Sequence, residues 1–467
     1  MSILPAAEFA ADISFPVVIV GAGAAGLIAA LAAREAGVEV LVIERDSTPR
    51  GSTSLSAGLI PAAGTRWQRA VGVEDTAEAF AADILAKAHD TPDPAMVAMA
   101  SAMAGPTLEW LADQHGLDFS VIADFLYPGH SACRMHGLPK RAGAELIEAL
   151  AAAAERAGVT VLCDAQVLKL AAEADGRIVG VVVQRPDGGT ERIGCQALVL
   201  ACNGYGGNKV LVAQHVPELA EALYFGHPGN QGEAILWGEA LGAATRHLSG
   251  HQGHGSVAHP AGILISWATL TEGGFQINTE GQRFHNESLG YSEAASPVLR
   301  QPGGVAWSVF DSRIGLIAAQ FEDFRQAEAA GIVLRAPDVA GLAARMRVPV
   351  DALAATMAEV DSLKVSGGTD RFGRSFAGVA ALQPEFCAVR VTGALFHTQG
   401  GLSVDPRTRV LRENGEPLPN MFAAGGAACG VSGPDASGYL SGNGLLMATA
   451  LGRQAGISAA ALAKPAE

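Results

Sequence analysis

The stretch SGYLSGNGLL, residues 437–446, is built from small residues and aliphatics, and Tyr439 interrupts it. The chain has only 5 tyrosines among 467 residues, so a phenol set where backbone and ligand can approach closely raises the question of chemistry. A phenol can donate one hydrogen bond to a neutral carbonyl oxygen, whereas a planar carboxylate is better held by the forked guanidinium of arginine. Ser441 adds a second hydroxyl two residues on. The competing reading of Tyr439 is a core aromatic with a satisfied hydroxyl. A second group, HLSGHQGHGSVAHP at 247–260, carries four histidines. Their spacing fits no standard zinc site, and no metal is expected there.

The third group is a glycine pattern. In FPVVIVGAGAAGLIAALAAREAGVEVLVIERD, residues 15–46, an apolar run precedes Gly21, Gly23 and Gly26, an Ala/Leu-rich helix follows to near Gly37, and a second apolar run ends at Glu44. Gly21 suits a tight turn and Gly23 lets the backbone approach a pyrophosphate at the helix N-terminus. Gly26 lets helix and strand pack closely, with Ala24 and Ala25 beside the same phosphates. Glu44 lies about twenty residues beyond the first glycine, the spacing of a carboxylate that binds a ribose hydroxyl, and Arg45 follows it. This pattern predicts a dinucleotide but leaves FAD and NAD open. The loop PRGSTSLSAGLIPAAG at 49–64 favours FAD: Gly51, Ser52, Thr53, Ser54, Ser56, Ala57 and Gly58 are short enough to lie along a ribityl chain and against a ring. Two further strand-to-glycine turns, ALVLACNGYGG at 197–207 and LPNMFAAGGAACG at 418–430, add Ala201, Cys202, Gly204, Gly425 and Gly426. Ser441, Gly442, Asn443 and Leu445 open a small-residue helix, and Val167 completes the expected cofactor contacts.

Positioning these residues takes a sizeable scaffold. Hydrophobic residues make up 49% and charged residues 17% of the chain, the balance of packed globular protein rather than disorder. A net charge of -15 disfavours nucleic acid and anionic membranes as partners. The six cysteines, Cys133, Cys163, Cys195, Cys202, Cys387 and Cys429, are scattered without a CxxC pair, as expected of reduced thiols in a cytoplasmic enzyme. The first fifteen residues lack a basic region, and the apolar run after them is broken by glycines, so neither a signal peptide nor a membrane span is expected. Strand and helix patterns alternate to about residue 205. They include an amphipathic helix then a strand over 141–162, and a hairpin with a Pro-Asp-Gly-Gly turn over 176–201. From about 250 the character changes, with helical patterns at 316–330 and 337–363.

The motifs GAGAAGLIAALAAREAG…VIE, LACNGYGG, GGFQINTEGQRFHNES, HTQGGLSVD and MFAAGG…SGNGL span nearly the whole chain. In this order they resemble the FAD-binding subunits of fumarate reductase and succinate dehydrogenase and their soluble relatives. The resemblance implies an α/β fold: a split Rossmann-type FAD-binding domain over 1–250 and 395–467, with an inserted α+β capping domain over 251–394. Covalent members of that family attach flavin through a histidine in the serine-rich loop. No histidine lies between 46 and 88 here, so FAD is expected to be noncovalent. Gly426 departs from the family, which usually carries an acid after AAG.

Fumarate reductases carry an arginine proton donor shortly after RF-x-NE and a second arginine before LGGN that clamps a carboxylate. In this chain RFHNESLGYSEA puts Tyr291 at the first position and GYLSGN puts Tyr439 at the second. Tyrosines at both positions resemble the 3-ketosteroid dehydrogenases of the same superfamily, and Ser441 matches a serine of their Δ4 type. That resemblance implies a dehydrogenase that introduces a C=C bond beside a ketone, with Tyr291 as base, Tyr439 and a second donor (Ser441, or a backbone N–H near Gly442) on the carbonyl oxygen, and an external electron acceptor. His254, His285 and Tyr127 are candidates for lowering the pKa of Tyr291. His397 matches a substrate-binding histidine of fumarate reductases or else orients its loop. Arg283, in the RF-x-NE signature, is expected to form a structural ion pair rather than a substrate contact. The alternatives are an enone or fumarate-like reductase running in reverse, and a flavoprotein that binds ligand or relays electrons without desaturation.

Overall fold

The computed structural model describes residues 3–464. Its first compact unit comprises the chain up to Val216, Gly226–His251 and the part from His397 onward; the second comprises Pro217–Phe225 and Gln252–Phe396. In the first unit, strand Ile13–Val20 ends in four consecutive buried residues, Val17–Val20, because a central parallel strand is covered on both faces. Val40–Ile43 pairs with it in parallel on one side and Thr190–Leu200 on the other. Thr160–Leu162 extends the sheet past Val40–Ile43. Pro417–Ala423, from far along the sequence, pairs in parallel with Thr190–Leu200, Met421 opposite Leu198. The strands end at Val20, Ile43, Leu162, Leu200 and Ala423, and the expected cofactor segments start just beyond several of these ends, where ligands of open α/β sheets bind. Ile178–Gln184 and Thr190–Leu200 form the expected hairpin.

Helix Ala24–Glu35 is buried over its first ten residues and packs against the C-terminal helix Asn443–Ala463. Glycines make that contact a backbone one. A Cβ on Gly452 would lie 2.7 Å from the carbonyl oxygen of Ala25, and one on Gly456 would lie 2.1 Å from that of Ala29. By length and composition Asn443–Ala463 could also cross a membrane, but here most of it, including Leu446, Met447 and Leu451, is buried in the core, while Ile457 and Leu462 are exposed.

In the second unit five strands of a seven-stranded sheet run in the order Ile263–Leu264, His251–Ala258, Phe386–Thr398, Val305–Asp311, Phe275–Ile277, and Leu223–Tyr224 and Leu334–Ala336 also pair with Phe386–Thr398. Phe275, Phe310, Phe324 and Phe376 fill its core. Helix Tyr291–Leu299 lies close to strand His251–Ala258, since a Cβ on Gly253 would come within 2.7 Å of Ser292 O and one on Gly255 within 2.6 Å of Ala294. The alternating glycines of HQGHGSV are thus a packing feature. The helical pattern at 337–363 is two helices, Val339–Met346 and Val350–Ser366. Arg347 takes φ 58 between them and Pro349 caps the second, a break that follows from the restraints proline imposes. The pattern at 316–330 likewise resolves into Ser312–Ala318 and Glu322–Ala329.

Gly456→Ala should lower stability by about 1–3 kcal/mol through overpacking, read as a reduced denaturant midpoint. An unchanged midpoint would contradict the helix contact described here.

Candidate functional site

At the nucleotide end, Gly21 turns at φ 105, and a Cβ there would lie 2.6 Å from Ala201 O. A Cβ on Gly26 would lie 1.9 Å from Gly21 O, so both positions require glycine. Gly23 caps helix Ala24–Glu35 without a side chain of its own, and Thr53 takes the Ala24 N–H; the positive end of the helix suits an anion. Glu44 accepts from the N–H groups of Ala22 at 2.7 Å and Asp46 at 3.0 Å, which fixes its carboxylate beside the glycine turn. Arg45 pairs with the buried Glu233. Val167 follows the 164–165 turn, whose N–H groups bond the carbonyls of Asp46 and Glu44.

The serine-rich loop uses many of its hydroxyls to hold itself in place. Ser54 donates to Gly51 O at 3.0 Å and Ser56 to Thr53 O at 2.7 Å. Ser52 accepts from Asn230 at 2.8 Å, and Thr53 accepts from Ala24 N–H at 3.1 Å. Gly51 and Gly58 take positive φ, and the Gly143 backbone packs on Ser56.

The C-terminal turn delivers Tyr439. Its residue is 7% exposed. Burial pushes its pKa up to about 12, against backbone N–H bonds from Gly444 and Gly442 that act in the opposite direction. The group is therefore a neutral phenol at physiological pH, and one whose oxygen accepts N–H groups is the stronger donor through its own O–H. The Gly442 N–H, an alternative to Ser441 as second donor to a substrate, is instead directed onto Tyr439. The Ser441 carbonyl accepts from His130 Nε2 at 2.9 Å. His130 lies against Arg134, which Asp75 holds through two 2.8 Å bonds. Gly442 sits at φ 88, where a Cβ would strike Pro61 at 2.7 Å. Asn443 Oδ1 is buried without a hydrogen-bond partner. The isoalloxazine of FAD carries a ring N–H, a donor of the kind this acceptor lacks. Together with the glycine cradle and the Glu44 carboxylate, this acceptor fits FAD.

His397 keeps some exposure, yet desolvation pushes its pKa down to about 4, opposed by a backbone bond at Thr398. Its Nδ1 lies 2.7 Å from Gln399 Nε2. The glycine at 426 has a steric cause: a Cβ there would lie 2.1 Å from Asn203 Oδ1 and 3.0 Å from His397 Nε2. Asn203, at φ 67, bonds Gly204 N–H at 2.8 Å. Ala201 and Cys202 precede it, and burial holds the Cys202 thiol up at about 12. Leu445 lies in the first turn of helix Asn443–Ala463, and Gly425 takes φ 60 with a Cβ position 3.0 Å from Ala25.

In the second unit Tyr291 opens helix Tyr291–Leu299 after Gly290 at φ 135. Its ring stacks on His254, centroids 5.0 Å apart and planes 19° apart. Trp267 meets both rings edge-on. His254 also lies 5.3 Å from Phe396, which stacks on Phe225 at 4.6 Å. Burial pushes His254 down to about 3, so this candidate touches Tyr291 but brings it no positive charge. His285 bonds Gln276 Oε1 at 2.8 Å and is held near 4 by burial. Tyr127 belongs to the first unit, its own hydroxyl pushed up to about 12 by burial. None of the three supplies a cation.

Arg283 is structural. It binds Glu287 at 2.5 Å and Asp370 at 2.5 Å, and Arg374 binds the same Glu287 at 3.0 Å. Burial would raise the Glu287 carboxyl, but Arg283 and Arg374 hold it down at about 2. Among the described residues no cluster of three or more His, Cys, Asp or Glu could hold a metal ion.

Residues 16–445 match the family described as FAD binding domain. The chain belongs to this family. It is an FAD-dependent oxidoreductase of the fumarate reductase group, acting on CH–CH bonds. It is 30% identical to the "Probable fumarate reductase Ifc3" of Shewanella frigidimarina, over 95% of this chain and 74% of that protein. It is 26% identical to a 4-oxocyclohexanecarboxylate 2-dehydrogenase of Sinomonas cyclohexanicum, over 97% of this chain and 96% of that one. The crystal structure of 3-ketosteroid-Δ4-(5α)-dehydrogenase from Rhodococcus jostii RHA1 with 4-androstene-3,17-dione superposes with TM-score 0.77 at 25% identity, covering 98% of this chain and 100% of that one.

The sequence reading missed Asn203, Gln399, Ser432, Glu233 and His130. Only Gln399 carried a local signal, as the one amide in the HTQGG motif; the others owe their place to contacts distant in sequence.

Arg283→Ala should cost about 3–5 kcal/mol by stranding Glu287, measured by chemical denaturation at neutral pH. The Glu287 pKa lies below its ordinary 4.5. The stability it contributes to the wild type is therefore complete above that value and is lost as pH falls through about 2.

Proposed function

We propose that the protein is a dehydrogenase that introduces a C=C bond α,β to the carbonyl of an alicyclic or steroid-like ketone, with noncovalent FAD and an external electron acceptor. The observation that carries this reading is the charge state of the groups beside the two tyrosines. Tyr439 is a protonated phenol polarised by backbone N–H groups, and Tyr291 lies on an imidazole held neutral by burial. A dicarboxylate calls for permanent cations, and the arginines near the RF-x-NE signature are tied to Glu287 and Asp370. The aromatic set Phe225, His254, Trp267, Tyr291 and Phe396 is apolar and uncharged, as an alicyclic ring requires. The names of the Sinomonas and Rhodococcus enzymes, both acting on oxo-substituted rings, support the same substrate class.

In this reading Tyr439 donates to the ketone oxygen with Ser441 as second donor, and His397 adds its N–H. Each such donor is worth about 2.7–4 kcal/mol once enolate charge develops. Tyr291 removes the α-proton. Bound FAD would accept the β-hydrogen as hydride. A free tyrosine has a pKa of about 10, so about one in a thousand is phenolate at neutral pH. With a neutral His254 beside it, Tyr291 works best on the alkaline side of neutrality. A reductase running in the reverse direction is the second reading, favoured by the 30% identity to the Shewanella protein.

Tyr291→Phe and Tyr439→Phe should each lower turnover at least a hundredfold with FAD still bound, about 2.7 kcal/mol in the barrier. Near-normal turnover in both variants would remove the assignment. Anaerobic mixing of oxidised enzyme with saturated cyclic ketones should bleach the flavin band; bleaching only in the reverse sense, by reoxidation with enones or fumarate, would favour the reductase. Turnover should rise from neutral towards alkaline pH, and a maximum on the acid side would contradict a phenol base.

A further inference from the structure

Behind His397 runs a line of buried hydrogen bonds. Gln399 Nε2 lies 2.7 Å from His397 Nδ1. Ser432 Oγ donates to Gln399 Oε1 at 2.9 Å, and Asn443 Nδ2 donates to Ser432 Oγ at 2.9 Å. Gln399 is 3% exposed, Ser432 1% and Asn443 0%, so water does not compete for these groups.

Such a line can run in either of two directions, because amides flip and hydroxyls rotate. Its far end decides between them. In the direction just described, Asn443 leaves Oδ1 without a partner and uses one of its two Nδ2 hydrogens, on Ser432. In the reverse direction Asn443 Oδ1 would accept from Ser432, and the Asn443 NH2 would leave two buried donors facing the place of that orphan. Buried unpaired donors are rarer and costlier than an under-used carbonyl oxygen. A bound flavin N–H would satisfy the orphaned oxygen and add to the same preference. The backbone groups of Gln399 are fixed too: its N–H bonds Gly250 O, and its carbonyl accepts from Gly430, both at 2.8 Å.

We propose that Gln399 is a positioning residue that locks His397 as the Nε2–H tautomer, so that the ring presents a hydrogen-bond donor to the oxygen of a neutral substrate. The Gln399 amide hydrogen occupies Nδ1, and the ring proton is left on Nε2. Burial holds the His397 ring neutral against a backbone bond at Thr398 that favours the charged form, so a single ring proton is shared out between the two nitrogens. The lock itself is independent of what the enzyme turns over; only the donor's role towards a ketone oxygen rests on the function proposed above.

The test is the long-range 15N–1H spectrum of FAD-loaded protein labelled in histidine, with the His397 signals identified by their loss in His397→Gln. The wild type should show a pyridine-like Nδ1 and a pyrrole-like Nε2. Gln399→Glu, which offers Nδ1 only acceptor oxygens, should move the proton to Nδ1 or protonate both nitrogens. Gln399→Leu should give a mixture. Ser432→Ala, which frees the Gln399 amide to flip, should also give a mixture and serves if a Gln399 variant does not fold. A wild-type Nδ1–H tautomer overturns the proposal, as does an Nε2–H tautomer unchanged in all folded variants. If the lock is present but no cyclic ketone perturbs the flavin spectrum, the lock stands and the ketone reading falls. Ketone-dependent bleaching with a tautomer indifferent to Gln399 overturns the lock and leaves the ketone reading in place.

Discussion

The first unit depends on backbone meeting backbone. Gly452 and Gly456 bring the C-terminal helix onto the carbonyls of Ala25 and Ala29. Gly26 does the same against Gly21, and Gly21 against Ala201. No side chain separates these segments, so their relative placement is set by hard contact and not by adjustable packing. That is how a turn near the start of the chain, one at 201–204 and one at 425–443 come to share a sheet edge. The residues expected to meet the cofactor lie on or beside these segments: Glu44 next to the first, Gly204 on the second and Asn443 on the third.

Charge is managed alike in the two units. Arg283, Arg374, Glu287 and Asp370 neutralise one another in the second unit, and Arg134 is enclosed by Asp75 and Asp83 in the first. These buried pairs stabilise the fold only while both partners are present. The rings of His254 and His397 are kept neutral by desolvation. Enclosed charge therefore serves architecture, and the groups assigned to chemistry are neutral donors and aromatic faces.

The sequence carried the Rossmann segment almost completely, because glycine positions, apolar runs and the terminal acid each have one backbone meaning. Tyr291 and Tyr439 were legible through their places in two motifs. Where the reading fell short, the cause was tertiary. His254 is one of three candidates for the neighbour of Tyr291, and only the tertiary contact singles it out as the ring under that phenol; HQGHGSV reads as a histidine cluster until Gly253 and Gly255 are seen against helix Tyr291–Leu299. The apolar spacing across 337–363 continues through Pro349, and only the backbone conformation there shows two helices. Gln399, Ser432 and Asn443 lie far enough apart in the chain that no spacing argument joins them.

Asn203 and the empty Cβ position at 426 claim the same few cubic ångströms from opposite sides. A side chain at 426 could enter only if the Asn203 amide swung away, and that would release the Gly204 N–H it now holds. Restoring an acid at 426 is thus coupled to the backbone beside His397, and shortening residue 203 in the same chain would make the room without that displacement.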